Sequence, residues 1–251
     1  MTTSAISQAQ RSAARIAGIV WPISFITVVA VNFGIFGRLV TGQSPAATAQ
    51  NILAHETLFR IGIAGDVLYC VGVVLVASSL YTVLKPVSAN IALLAALGRL
   101  IHGLTWLLVS VNHFALLLLL TEQDYLRAMG PEHLFALVRL YLGSGDTYYI
   151  GLLFWSLGTV AGSYLWFKSN YVPRALAIFG LASSTWCAAC TFIYYIFPDF
   201  SDIVNLWWFD SPMGIFELAL SLWLVFKGLK SPRIVETGPQ SVDAAVVGRP
   251  D

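Results

Sequence analysis

Charged residues are scarce in this sequence, and their scarcity argues against a soluble domain. Asp, Glu, Lys and Arg make up 11% of the 251 residues, whereas soluble domains carry roughly 25%. The formal net charge is +1, so the chain has no basic field of the kind that attracts nucleic acid. The apolar residues instead fall in long runs, which are typical of membrane spans. We therefore expect one polytopic membrane domain and no nucleic-acid partner.

Cysteines are few, and the motifs of several common enzyme classes are missing. Cys70, Cys187 and Cys190 all lie in apolar runs, which is typical of small packed side chains and not of a disulfide framework. The sequence contains no Walker loop and no GxSxG, HExxH or GxGxxG motif. It therefore gives no support to P-loop, serine-hydrolase, zinc-protease or dinucleotide-binding chemistry. Neither a bound metal nor another cofactor is expected.

Histidine occurs at four positions only. His102 and His113 are eleven residues apart and so lie nearly on one face of a helix, a spacing that suits haem ligands at two levels. His55 and His133 lie outside the predicted spans. A bis-histidine haem protein is therefore not expected.

Six apolar stretches are long enough to cross a bilayer as helices, which takes about 20 residues. Their predicted limits are 16–37, 61–84, 89–121, 147–167, 175–197 and 213–229. We expect an all-α, six-span membrane helix bundle, with residues 1–15 as a cytoplasmic segment, 16–230 as the membrane domain and 231–251 as a disordered tail. Gly158 and Gly162 form a GxxxG pair, which predicts a close-packed helix face.

Two shorter amphipathic helices are predicted at the membrane surface. The first covers 45–60, where Ser44 and Pro45 give a helix-start signal, and it is expected to differ in direction from the second span. A single straight helix over 45–84 would be about 60 Å long, far more than a bilayer requires. The second begins at Pro131.

The loop charges predict the orientation of the spans. Lys and Arg concentrate on one side of the predicted bundle, at Arg11, Arg15, Lys85, Lys168, Arg174, Lys227, Lys230 and Arg233. The other side carries Arg38, Arg60, Arg127 and Arg139 together with most of the loop carboxylates. The positive-inside rule then places both termini in the cytoplasm and the chain in the plasma (inner) membrane.

Several spans place polar residues at a similar depth, in what would be the outer leaflet. The candidate ligand-binding residues are Asp66, Glu217, His113, Asn112, Asn32, Glu56 and Arg60. Charged groups at membrane depth need water, a proton or a partner, and they commonly mark functional sites. We expect Asp66, Glu217 and His113 to point into one interior space, which would be either a ligand pocket open to the outer face or polar packing between spans. Arg99 is expected to extend to the inner interface.

Five strings of the sequence form a family pattern when they are taken in order. They are AARIAGIVWPI at 13–23, ATAQNILAHETLFRIGIAGDVL at 47–68, LYTVLKPVSANIALLAALGRL at 80–100, YLWFKSNYVPRALAIFGL at 164–181 and FELALSLWLVFKGLK at 216–230. Over about residues 11–230 the chain thereby resembles the bacterial membrane proteins of domain-of-unknown-function family 4386. The resemblance implies a six-span inner-membrane protein and implies no biochemical activity. His113 lies outside these strings, so the resemblance says nothing of its role.

Three hypotheses about function follow. The first is binding or passage of a small or amphipathic ligand at the polar layer, with Asp66 and Glu217 holding charge and His113 forming a hydrogen bond or exchanging a proton. The second is an intramembrane enzyme for a lipid or isoprenoid, in which a carboxyl group acts as general acid. The third is a structural or accessory membrane protein. The sequence leaves the oligomeric state open.

Overall fold

The computed structural model describes residues 6–40, 44–122, 130–143 and 147–230, and these residues contain helices and no strand. The predicted disordered tail at 231–251 lies outside the described residues. Within them the helices are α1 (Gln8–Leu39), α2 (Pro45–Ala54), α3 (Glu56–Leu84), α4 (Ala89–Thr121), α5 (Pro131–Gly143), α6 (Thr147–Ser169), α7 (Arg174–Ile196), α8 (Phe200–Ile203) and α9 (Trp207–Phe226).

Six of these helices are long and apolar enough to cross a membrane, namely α1, α3, α4, α6, α7 and α9. Their outer faces carry many exposed large apolar side chains, as expected where lipid and not water is the solvent. The chain is therefore an integral membrane protein with the predicted six-span, all-α architecture. The limits of α4 agree with the predicted 89–121.

The six spans form a ring in chain order. Each span packs against the next one along the chain, and α9 packs against α1 to close the ring. The contact between α4 and α6 is the closest, because Gly98 and Gly158 face each other across it. A Cβ atom built on Gly98 would lie 2.6 Å from the Phe154 carbonyl oxygen, and one on Gly158 would lie 2.9 Å from the Ala95 carbonyl oxygen. The predicted close-packed face of α6 is thus confirmed at Gly158.

One end of the bundle is joined by hydrogen bonds among chain segments that are far apart in sequence. Ser7 caps α1 in a capping box with Gln10. The Gln10 amide also donates to the Val83 carbonyl oxygen (3.0 Å) and to the Tyr171 hydroxyl (3.3 Å). The backbone N–H of Lys230 donates to the Tyr171 carbonyl oxygen (2.8 Å). This end therefore gathers the start of α1, the end of α3, the α6–α7 connection and the segment after α9.

The predicted break before the second span is present, but it lies at His55 and not at Arg60. His55 has φ −128° and ψ 40°, which interrupts the helical path between α2 and α3. Residues Glu56 to Arg60 therefore belong to the first turn and a half of α3. At the same end of the bundle, Ile52 of α2 and Val138 of α5 pack in one apolar cluster with the last turns of α4.

The start of the sixth span was predicted wrongly. The structure begins α9 at Trp207, six residues before the predicted start at residue 213. Pro212 is tolerated inside the helix although it has no N–H for the Trp208 carbonyl oxygen. The Trp186 indole Nε1 of α7 donates to that carbonyl oxygen instead (2.8 Å). The neighbouring Asp210 carboxylate accepts from the Tyr148 hydroxyl of α6, so both helix-breaking signals are compensated by other helices.

Candidate functional site

Asp66 and His113 lie side by side in the bundle interior. Asp66 is on the buried face of α3 and is 1% exposed, while His113 on α4 is 8% exposed. His113 Nδ1 and Asp66 Oδ2 are 3.9 Å apart, which is too far for a direct hydrogen bond. Neither Asp66 oxygen nor His113 Nδ1 has a hydrogen-bond partner among the described residues. The sequence prediction that these two residues share one space is therefore correct.

Aromatic rings surround this pair. Phe36 of α1 and Phe59 of α3 pack on the His113 ring, with centroid distances of 4.5 and 5.8 Å. The Trp106 side chain of α4 faces the Asp66 carboxyl without reaching hydrogen-bond geometry, and its Nε1 is also buried without a partner. A carboxylate in such surroundings has lost its hydration and faces one indole donor with which it completes no hydrogen bond, which is an unfavourable state unless another group binds it.

Helix α1, which contacts His113 through Phe36, has an unusual backbone. Residues Ala30–Phe36 of α1 form a π-helical segment, a conformation that is rare and frequently marks functional sites. Gly62 and Gly65 of α3 leave room for this segment. A Cβ atom on Gly62 would lie 2.8 Å from the Phe36 ring, and one on Gly65 would overlap the Val31 side chain. Phe36 reaches His113 because α3 has no side chains at these two positions.

Glu217 does not share this space, contrary to the sequence prediction. Its carboxylate accepts hydrogen bonds from the Arg99 guanidinium, from Trp155 Nε1 (2.8 Å) and from Thr159 Oγ1 (3.2 Å). Arg99 and His113 are 14 residues apart on α4, which corresponds to about 21 Å along a helix. The error came from the start of α9: with the helix covering Trp207–Phe226, Glu217 lies at its middle and not towards its outer end.

Arg99 was also predicted wrongly. It does not extend to the interface but is 6% exposed inside the bundle. Its guanidinium pairs with Glu217 and lies over the Trp21 ring, 4.5 Å from the ring centroid. The arrangement combines an ion pair with a cation–π contact, so both charges are compensated within the protein.

The other predicted site residues form no hydrogen bond with Asp66 among the described residues. Glu56 and Arg60 form an ion pair of 2.7 Å on the surface of α3, where both side chains are more than 40% exposed. The Asn32 amide donates to the Val28 carbonyl oxygen of its own helix (2.9 Å), and Asn112 is half-buried. Surface ion pairs such as Glu56–Arg60 contribute little to stability. None of the four residues forms a hydrogen bond with Asp66 among the described residues.

Sequence reasoning missed a polar stripe along α4. Arg99, His102, Trp106, Ser110 and His113 follow one another at spacings of three, four, four and three residues, which places them on one helix face. All are buried or half-buried. The Tyr69 hydroxyl of α3 is hydrogen-bonded to His102 Nε2 of this stripe at 3.0 Å. The helical period of these polar residues is the signal that would have predicted a buried Arg99 side chain.

Asp66 lines neither of two cavities formed by the described residues. The first, of about 600 Å³, is an apolar groove between α7 and the start of α9, lined by residues such as Phe179, Trp186 and Trp208. The second lies beside Arg99 and Glu217 and holds about 20 Å³, which is room for one water molecule. Among the described residues, no group of three or more His, Cys, Asp or Glu side chains could hold a metal ion.

Comparison with known proteins identifies the family and goes no further. The family described as Domain of unknown function (DUF4386) matches residues 16–228. Since the match covers most of the chain, the chain belongs to this family, as the resemblance of its sequence strings predicted. Neither the curated proteins nor the solved structures give a match.

Proposed function

We propose that this member of the DUF4386 family binds or passes a small ligand at the Asp66–His113 pair, on the outer half of its membrane bundle. One observation carries the proposal: the Asp66 carboxylate is 1% exposed, and neither of its oxygens completes a hydrogen bond among the described residues, although the Trp106 indole N–H lies against it. Burying a carboxylate in this way is energetically unfavourable. Its presence in a mainly apolar span is explained most simply if it binds a ligand.

The Arg99–Glu217 pair offers a comparison within the same chain. There one carboxylate oxygen, Glu217 Oε1, has three donors and the guanidinium has an aromatic ring beneath it, as expected of polar packing between spans, although Glu217 Oε2 and Arg99 Nη1 have no partner among the described residues. The Asp66–His113 pair has the same burial without such partners. The two pairs therefore support different roles, packing for Arg99–Glu217 and ligand binding for Asp66–His113.

The proposal includes an orientation and a compartment. We place both termini in the cytoplasm and the chain in the plasma membrane. The end of the bundle that is joined by hydrogen bonds to Tyr171 carries the Lys and Arg residues of the N-terminal segment, of the α3–α4 and α6–α7 connections, and of the segment that contains Lys227 and Lys230. The positive-inside rule assigns this end to the cytoplasm. Reporter fusions after residues 85, 168 and 230 should read cytoplasmic, and fusions after 43, 123 and 202 should read external. One internal fusion that reads the opposite side contradicts this orientation.

The test of the site compares two substitutions at Asp66 with a matched control. Asp66→Asn keeps a hydrogen-bonding side chain of the same size and removes the charge, whereas Asp66→Leu removes both. Glu56→Gln is the control, because it neutralises an exposed carboxylate on the same helix. The measurements are the amount of each variant in the membrane and untargeted mass spectrometry of cellular lipids and metabolites.

We expect Asp66→Asn to reach normal membrane levels and to reproduce the lipid or metabolite changes of cells that lack the protein. Glu56→Gln should resemble the parent in both measurements. If Asp66→Asn matches the parent throughout while Asp66→Leu is lost from the membrane, Asp66 is a packing residue and the proposed function fails.

A further inference from the structure

The acceptor atoms at Asp66 and His113 form a set that fits one kind of ligand group. Asp66 Oδ1 and Oδ2 and His113 Nδ1 are all buried and without partners among the described residues. In the tautomer that carries its proton on Nε2, His113 Nδ1 is an acceptor. The pair then presents three acceptor atoms, two of them sharing a negative charge, and the complementary group carries several N–H donors and a positive charge.

The spacing limits the size of that group. A gap of 3.9 Å between Asp66 Oδ2 and His113 Nδ1 is too long for a direct bond, yet one nitrogen atom between them can lie within hydrogen-bond distance of both. Because a single nitrogen atom spans this gap, the group that bridges the pair is compact, as the head of a small molecule is.

The surroundings of the pair are apolar apart from one indole N–H. Phe36 and Phe59 flank His113, and the Trp106 indole N–H lies against Asp66. Aromatic rings exclude water from the site, and the attraction between Asp66 and a ligand cation is stronger there than in water. No Lys or Arg forms an ion pair with Asp66 among the described residues, so a ligand cation meets no competing charge from the protein.

Metal ions fit this site poorly. Ca²⁺ takes six to eight oxygen ligands, Mg²⁺ requires an octahedral set and Zn²⁺ takes four ligands. The pair supplies one carboxylate and one imidazole, and its other neighbours are aromatic side chains. A quaternary ammonium fits no better, because it has no N–H to donate to the three acceptors.

We infer that the Asp66–His113 pair binds the primary ammonium group of a small amine, with the ammonium N–H groups donating to Asp66 and to His113 Nδ1. The inference rests on the proposed function, since it names the ligand class of that same site. Phe36 covers the His113 ring, and its π-helical segment packs on the glycine surface of α3.

The test uses the purified full chain in detergent micelles and measures its thermal unfolding with added salts. Methylammonium chloride is the probe, tetramethylammonium chloride lacks the N–H donors, and sodium chloride controls for ionic strength. A ligand that binds only the folded state raises the unfolding temperature in proportion to its occupancy. We expect methylammonium to stabilise the parent and the Glu56→Gln variant, and the other two salts to leave them unchanged.

Asp66→Asn should weaken the apparent affinity for methylammonium by about tenfold or more, because it removes a charge-assisted hydrogen bond. If that variant does not fold, His113→Phe removes one acceptor while keeping a ring of similar shape, and it should also weaken binding. Equal stabilisation by methylammonium and tetramethylammonium, or full methylammonium binding by both variants, overturns the inference. So does the absence of any methylammonium effect on the parent.

The two proposals can fail separately. The comparison of lipids and metabolites in cells uses no added amine, so an Asp66-dependent change there upholds the proposed function whatever methylammonium does. If such a change occurs and methylammonium does not bind, the site is real and its ligand is of another class. If methylammonium binds and cells are unaffected by Asp66→Asn, the binding exists without the proposed cellular function.

Discussion

The Arg99–Glu217 ion pair should be energetically coupled, and two substitutions can measure the coupling. Arg99→Met removes the guanidinium and keeps an unbranched apolar side chain of similar length. Glu217→Gln removes the negative charge and keeps an oxygen that accepts from Trp155 and Thr159. Each single variant leaves one charge inside the membrane without its partner, whereas the double variant leaves none.

The magnitudes follow from the burial of both partners, whose side chains are 7% and 3% exposed. Removing one partner of a buried ion pair costs about 3–5 kcal/mol. Replacing both partners is often neutral or stabilising, by about 1–4 kcal/mol. Because Gln keeps the hydrogen bonds from Trp155 and Thr159, no other buried donor loses its acceptor in the double variant. The double variant should therefore be close to the parent in stability and well above either single variant.

The assay is the free energy of unfolding of all four proteins in the same bicelles, combined as a double-mutant cycle. A coupling energy of about 3 kcal/mol or more is expected between the two sites. If the two losses simply add to within about 0.5 kcal/mol, as they do for independent positions, the two side chains do not form a buried pair and the structural reasoning here is refuted.

Three further substitutions test the packing of the interior, one of them as a control. Gly98→Ala should lower the unfolding temperature, because its methyl group would press on the Phe154 carbonyl oxygen. Gly162→Ala should be tolerated, since the side-chain atom nearest to a Cβ at this position lies at 3.8 Å. Equal effects of the two substitutions would contradict the close contact of α4 and α6. Tyr69→Phe should cost about 1–3 kcal/mol of unfolding free energy, the usual penalty for a buried group left unpaired, here His102 Nε2. An unfolding temperature equal to the parent would show that His102 finds another partner.

The course of the chain could be predicted from sequence where its signals are local. The limits of α4 follow from the turn at residues 85–88 and from the long apolar run after it, and the structure places them as predicted. The start of α9 could not be predicted in this way. Asp210 and Pro212 both indicate a loop, and they enter the helix because Tyr148 and Trp186 supply a donor from other spans.

The candidate site was predictable in part for the same reason. Asp66 and His113 were paired correctly, because neighbouring antiparallel spans place residues of similar depth side by side. Glu217 was assigned to the same membrane depth as Asp66 and His113 because the start of α9 was predicted wrongly. Arg99 was predicted to face the interface and not the interior, because its partner lies 118 residues later in the chain. Long-range partners of this kind leave only indirect traces in one sequence, such as the helical period of the polar stripe on α4.

The ring of spans also has an order in time. Synthesis delivers α4 to the membrane long before α9, and α9 is the span that closes the ring on α1. Until it arrives, Arg99 is a cation in the membrane without its carboxylate, an unfavourable state that persists in every unfinished or truncated chain. The charge of Arg99 is therefore neutralised only when α9 has joined the bundle. A chain that ends before Glu217 should accordingly be recognised as defective by the cell and degraded.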